Sequence, residues 1–166
     1  IEEEHAVTFS AGLAAGGMKP FCNIYSSFSQ RSYDQIIHDV ALQELPVVIC
    51  LDRGGIVGED GATHHGCYDM SIFRSIPGAV VAAPKDELEL KNMMYSAMLA
   101  TKGPYIIRYP RGFGEGVEWE SAAYQQIQTG TGEKLAEGSK VAVLAAGPFV
   151  YRALEAASEL KSETGW

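Results

Sequence analysis

What the chain does not contain narrows its reading first. No apolar run approaches the ~20 residues that a membrane-spanning helix needs, and nothing in it has the basic, apolar and small-residue order of a secretory signal. Its three cysteines, Cys22, Cys50 and Cys67, form no CxxC pair. Two of them lie in apolar runs, the pattern of buried free thiols in a reducing compartment, and so of a cytoplasmic protein. GxGxxG, the P-loop patterns GxxxxGKS and GxxxxGKT, and HExxH are all absent, so neither a dinucleotide, a P-loop nor a zinc-peptidase site is indicated. Positive charge is scarce as well: 13 Lys and Arg against 21 Asp and Glu leave a formal charge of -8. That balance argues against nucleic acid or an anionic membrane as partner.

What is present is the composition of a soluble globular protein, 46% hydrophobic and 20% charged, in a chain of 166 residues. Such a length buries a core without disulfides. The chain opens directly on a helix-like stretch and closes on a strand-like KVAVLAAG followed by a helix-like PFVYRALEAASELKSETGW, which reads as part of a longer protein.

Element types alternate along the chain. A first helix carries Ala6, Phe9, Ala11 and Leu13 and is closed by Gly16-Gly17. FCNIYSSF reads as a strand, and Tyr33, Ile36, Ile37, Val40 and Ala41 as the stripe of an amphipathic helix. PVVICLD is a continuous apolar run, as a strand covered on both faces requires. AVVAAP and PYIIRYP are further strands, separated by a helix with Leu90, Met93, Met94, Ala97 and Met98 on its core face. QIQTGTGEKLAEGSKVAVLAAG suggests a hairpin leading into a fresh strand. The expected class is α/β, a mostly parallel sheet with helices on both faces.

Ligands of such sheets bind beyond the carboxyl ends of the strands. Phe28 and Arg31 follow the first strand, RGGIVGEDGATHHG the second, and Arg111 the last, so these loops should converge with the Glu2-Glu3-Glu4-His5 helix start. Five glycines in residues 53 to 66 permit positive φ and close backbone approach. The adjacent His64 and His65 point to opposite sides in an extended segment and are poor joint metal ligands. Substrate binding, acid/base work by one histidine, or a polar turn remain open for this loop. Arg53 and Arg111 suit an anion such as phosphate, or ordinary salt bridges to Asp52 or Glu115. The glutamates either stabilise the helix start or include one functional carboxylate, and the residues alone do not choose among them.

The stretches IEEEHAVTFSAGLAAGGMKPFCNIYSSFSQRSYDQ, DRGGIVGEDGATHHG and RYPRG resemble the central, pyrimidine-binding domain of the 1-deoxy-D-xylulose 5-phosphate synthase family, thiamin diphosphate enzymes of the transketolase superfamily. The resemblance is dense over residues 1 to about 118. It implies a pyrimidine-binding domain over 1–120, a linker or hairpin over 121–139, and the start of the family's third domain over 140–166. It also implies a homodimer that joins pyruvate to D-glyceraldehyde 3-phosphate with loss of carbon dioxide.

By the same resemblance Glu3 holds N1' of the cofactor's aminopyrimidine, with a carboxyl pKa that burial should raise. Phe28 stacks on that ring, Arg31 lies near it, Tyr25, Asp60 and His64 face the substrates as catalytic residues that give or take protons there, and Arg53 and Arg111 hold the acceptor's phosphate. The magnesium and diphosphate site belongs to another domain, with a GDG motif and a downstream asparagine, so the 166-residue chain alone is expected to be inactive. Two places depart from the family pattern: Glu4 and Glu2 add charge beside Glu3, and Gly54 stands where alanine is usual. A transketolase, a 2-oxo acid dehydrogenase beta chain, and a non-catalytic module of the same fold are the rival readings.

Overall fold

The computed structural model of the chain describes residues 2–164. Helix α1 covers Glu3–Ala15 and ends at Gly17, whose φ of 88° is the left-handed conformation expected of a closing glycine. Strands β1 (Phe21–Tyr25), β2 (Val48–Asp52), β3 (Val80–Ala82) and β4 (Tyr105–Arg108) form one sheet in the order β1-β2-β4-β3. Every pairing is parallel.

Alternate residues of a strand face opposite sides of a sheet, and β2 shows why its run is apolar throughout. Ile49 and Leu51 enter a core with Val7, Ala11, Ile36, Val40 and Ile106. Val48 and Cys50 enter a second core, with Met93, Ala97, Tyr105 and Ile107. The first core is covered by α1 and the helical segment after β1, the second by helix α4 (Glu87–Leu99). The α/β parallel architecture is therefore as expected. Asp86 caps α4, accepting from the backbone N–H of Glu89 at 2.7 Å.

Details of the helices differ from the expectation. In α1 the buried face is Glu3, Val7, Ser10, Ala11 and Ala14, spaced as one side of a helix, whereas Phe9 is 59% exposed and stacks beside His5. A hundred degrees of turn per residue carries Phe9 away from the face that Val7 and Ala11 occupy. The stripe at Tyr33 to Ala41 keeps its core face, with Ile36 and Val40 fully buried, but the backbone passes from a 3-10 turn (Phe28–Ser32) through α2 (Tyr33–Gln35) into a π-helix (Ile36–Ala41). In α4, Met93 and Ala97 are buried as expected, while Met94 and Met98 are exposed.

No hairpin forms within residues 125–139, and KVAVLAAG is not a strand. A strand needs a neighbour for its amides and carbonyls. The stretch entering this region is instead tied to α4 by side chains: Gln125 N–H donates to Asn92 Oδ1 at 2.9 Å and Ile127 N–H to Ser96 Oγ at 2.8 Å. Lys91 Nζ donates to the carbonyls of Trp119 and Ala122. Further on, Val141, Val143 and Leu144 are exposed, and among the described residues no strand lies beside them. Helix α5 (Phe149–Thr164) is anchored to the start of α4 by Tyr151 Oη donating to Asp86 Oδ2 at 2.7 Å.

Among the described residues no helix is long and apolar enough to cross a membrane.

Candidate active site

Parallel strands deliver their carboxyl ends to one edge of the sheet, and this edge collects the polar residues of the chain. Tyr25 ends β1, Asp52 ends β2, Arg108 ends β4, and Arg53 and Arg111 lie just past their strands. The start of α1 brings Glu3 to the same edge beside Arg31, with Arg31 Nη1 3.8 Å from Glu3 Oε1.

The contacts then run without a break. Arg31 Cζ is 5.2 Å from the centre of the Phe28 ring, and the Phe28 and Tyr25 rings stack 5.3 Å apart at an interplanar angle of 6°. Arg53 Cζ sits 3.9 Å from the centre of the Tyr25 ring, a cation over an aromatic face. Arg53 Nε donates to Asp60 Oδ2 at 3.3 Å, and Arg111 Nη1 to Asp60 Oδ1 at 2.5 Å. His64 meets the edge of Phe28 at 5.2 Å between centroids and lies 6.3 Å from Tyr25. Thus Glu3, Arg31, Phe28, Tyr25, Arg53, Asp60, Arg111 and His64, all eight of the residues singled out from the sequence, belong to one contiguous array.

The glycine loop is held closed at its neck. Gly55 and Gly66 exchange both backbone hydrogen bonds at 2.8 Å, so residues 56 to 65 form an excursion with fixed ends. Within it Gly58 and Gly61 adopt φ of 60° and 79°, starting two short 3-10 turns that aim Asp60 and His64 back toward the sheet. The histidines do point apart: His65 Nδ1 accepts the Val57 N–H at 3.2 Å, which gives this residue the work of bracing the loop. Thr63 Oγ1 lies 2.9 Å from His64 Nδ1, and among the described residues no hydrogen bond engages His64 Nε2.

Electrostatics distinguish the carboxylates. Asp60 is held below the ordinary carboxylate range, first by its hydrogen bond from Arg111 and then, against some desolvation, by the charges of Arg111 and Arg53. It is therefore a standing anion and a poor proton donor near neutral pH. Arg53 also pairs with Asp52, so one of the two simple salt bridges considered from the sequence is present, whereas Arg111 is bound to Asp60 and not to Glu115. Glu3 is 8% exposed.

Three groups at this edge, two buried and one partly buried, escape a sequence reading. Asp69, Ser26 and Arg108 form a hydrogen-bonded cluster below the loop. The available signal was Arg108 itself, a charge at the end of the apolar run YII. Gly54 and Gly66 lie close against the cluster, and Arg53, next to Gly54, takes a φ of 57°, a strained value for a residue with a side chain.

Comparison with known proteins gives three findings. The family described as transketolase, pyrimidine binding domain, matches residues 1–115. Among curated proteins, the 1-deoxy-D-xylulose-5-phosphate synthase of Bacteroides thetaiotaomicron is 54% identical over 99% of this chain and 25% of its own length. The synthase of the same name from Oleidesulfovibrio alaskensis is 56% identical over 99% of this chain and 26% of its own. The chain thus spans about a quarter of the length of these relatives. Among solved structures, one titled as a split gene transketolase, inactive beta4 tetramer, superposes with a TM-score of 0.84 at 28% identity, covering 98% of this chain and 52% of that one.

Proposed function

The chain belongs to the family of transketolase pyrimidine-binding domains, and from that premise we propose that it serves a transferase that condenses pyruvate with D-glyceraldehyde 3-phosphate, with release of carbon dioxide, to give 1-deoxy-D-xylulose 5-phosphate. The observation that carries this reading is the array from Glu3 to Arg111, which pairs a buried carboxylate and aromatic face with a two-arginine fork. More than half identity to proteins named as that synthase supports it.

The residues fit the aminopyrimidine of thiamin diphosphate. A heteroaromatic ring with a basic nitrogen calls for a carboxyl at its edge and an aromatic at its face, and the Arg31 guanidinium lies beside both Glu3 and the Phe28 ring. Thiamin diphosphate, when bound, supplies the nucleophilic carbon for removing carbon dioxide from a 2-oxo acid and joining the remainder to an aldehyde. Glu3 would share a proton with the ring nitrogen, and Phe28 and Arg31 would hold the ring in place. The diphosphate and its Mg2+ are read as bound by another part of the protein, so that the isolated chain does not turn over.

The remaining residues act on the substrates. Arg53 and Arg111 follow different strands, and together they can take a phosphate by charge-assisted hydrogen bonds, with Asp60 holding them in register until it arrives. His64, braced at Nδ1 by Thr63, presents Nε2 to a carbonyl oxygen and can give or take the proton there. Tyr25 supports the Arg53 guanidinium from below. The paired neck at Gly55 and Gly66 fixes both ends of the loop that carries Asp60 and His64.

Residues 1–120 are read as the pyrimidine-binding domain, 121–139 as a linker and 140–166 as the beginning of a following domain, in a cytoplasmic homodimer. The buried free thiols of Cys22 and Cys50 support the cytoplasmic assignment. Donor choice is the test. A full-length protein carrying this segment, given thiamin diphosphate and Mg2+, should consume pyruvate and D-glyceraldehyde 3-phosphate together; turnover of a ketose phosphate without pyruvate would indicate a transketolase instead.

A further inference from the structure

The neck of the loop at residues 55 to 66 rests on a buried ionic cluster that the proposed chemistry does not use. Asp69 is 4% exposed. Its Oδ2 accepts from Ser26 Oγ at 2.8 Å and from Arg108 Nε at 3.0 Å, and its Oδ1 accepts the Met70 N–H at 2.7 Å. Removing both members of an ion pair from water is costly, and apolar residues of the same volume often stabilise a fold as well. A pair of this kind is therefore more informative about position than about stability.

Both sides of the neck press on the cluster. A Cβ placed on Gly54 would lie 2.7 Å from Arg108 Cζ, and one on Gly66 would lie 2.2 Å from Ser26 Oγ and 2.6 Å from the Arg53 carbonyl oxygen. Gly54 directly follows Arg53, which holds the left-handed φ of 57°, and the Gly54 N–H is fixed to the Tyr109 carbonyl at 2.9 Å. The backbone reverses at the point where it touches the Arg108 guanidinium.

We infer that Asp69 is a positioning residue which, through Arg108 and Ser26, sets the seat of the Gly54 and Gly66 neck and so aims the Arg53 guanidinium at the acceptor's phosphate. This rests on the phosphate reading of Arg53 and Arg111 given above. Asp69 itself reaches no substrate; its influence passes through Arg108 to the backbone of Gly54.

The test uses a full-length protein carrying this segment and compares pyruvate, D-glyceraldehyde 3-phosphate and unphosphorylated D-glyceraldehyde. Asp69→Asn keeps the shape of the side chain and removes its charge. KM for the phosphorylated aldehyde should rise about tenfold, with KM for the other two substrates changed by less than about twofold. On an Arg53→Ala background the same substitution should add less than about twofold, because the group it aims is gone. An equal effect on all three substrates, or an undiminished effect on the Arg53→Ala background, overturns the inference. If Asp69→Asn does not fold, Ser26→Ala removes one donor from the same carboxylate. A rise selective for the phosphorylated aldehyde then supports the inference, and a uniform change or none overturns it. Unsubstituted protein that treats the two aldehydes alike would instead overturn the phosphate reading and this inference with it.

Discussion

Asp60 takes Arg111 on one carboxylate oxygen and Arg53 on the other, so a single side chain ties together the arginines that follow two neighbouring strands. A loop residue thereby fixes the separation of two groups on the sheet. The same carboxylate also neutralises part of their charge until another anion takes its place.

A pH prediction follows from that pairing. Asp60 is depressed by Arg111 first and Arg53 after it. A carboxyl whose folded pKa is depressed contributes stability that is present above its unfolded value of about 3.9 and is lost as pH falls through the folded value. The difference in melting temperature between the chain and its Asp60→Asn variant should be constant from about pH 5 to 8 and shrink below about pH 4. A difference that vanished between about pH 6 and 7 would assign it to a histidine.

Among the three acids at the start of α1, only Glu3 is buried. Glu3→Gln in a full-length protein should lower turnover by about 100-fold or more, the loss expected of a group that handles a proton in the reaction. Glu2→Gln and Glu4→Gln should each stay within about twofold. Equal losses at the three positions would remove the special role of Glu3.

Gly66 has no room for a side chain, since an added Cβ would meet both Ser26 and the Arg53 carbonyl oxygen. The carbonyl belongs to a backbone already constrained at the neck, so relief requires the loop to shift. Gly66→Ala should therefore destabilise the chain by about 1 to 3 kcal/mol, measured as a fall in the denaturation midpoint. At Gly58, where a Cβ meets nothing within 4 Å, alanine should cost less, through its φ of 60° alone.

The cysteines differ in access. Burial raises the Cys22 thiol and pushes Cys50 up to about 11, while Cys67 is exposed. A thiol reagent should modify Cys67 rapidly in the native chain and all three cysteines only in denaturant. Rapid native modification of Cys50 would mean that the second core opens far more readily than its packing implies.

The sheet and its site edge were legible because they depend on patterns that a chain carries locally. PVVICLD had to be a strand covered on both faces, and once the strands were parallel the positions of Tyr25, Arg53 and Arg111 followed. The partners of the arginines were not legible, because Asp60 and Arg111 meet across 51 residues through a loop whose turns depend on two glycines at positive φ. The Asp69–Arg108 pair was hidden for the same reason, being made by a short helix and a strand end. Apolar character alone does not place Phe9, which the helical angle carries off the core face, and the run at 141 to 146 has strand-forming residues but, among the described residues, no strand beside it.

We propose above that the edge built from Arg53, Asp60 and Arg111 receives the phosphate of an aldehyde acceptor. The ratio of KM for D-glyceraldehyde 3-phosphate to KM for D-glyceraldehyde tests it most directly, measured in a full-length protein carrying this segment with and without Arg111→Ala. The substitution should raise this ratio about tenfold or more while KM for pyruvate holds. An unchanged ratio would contradict it.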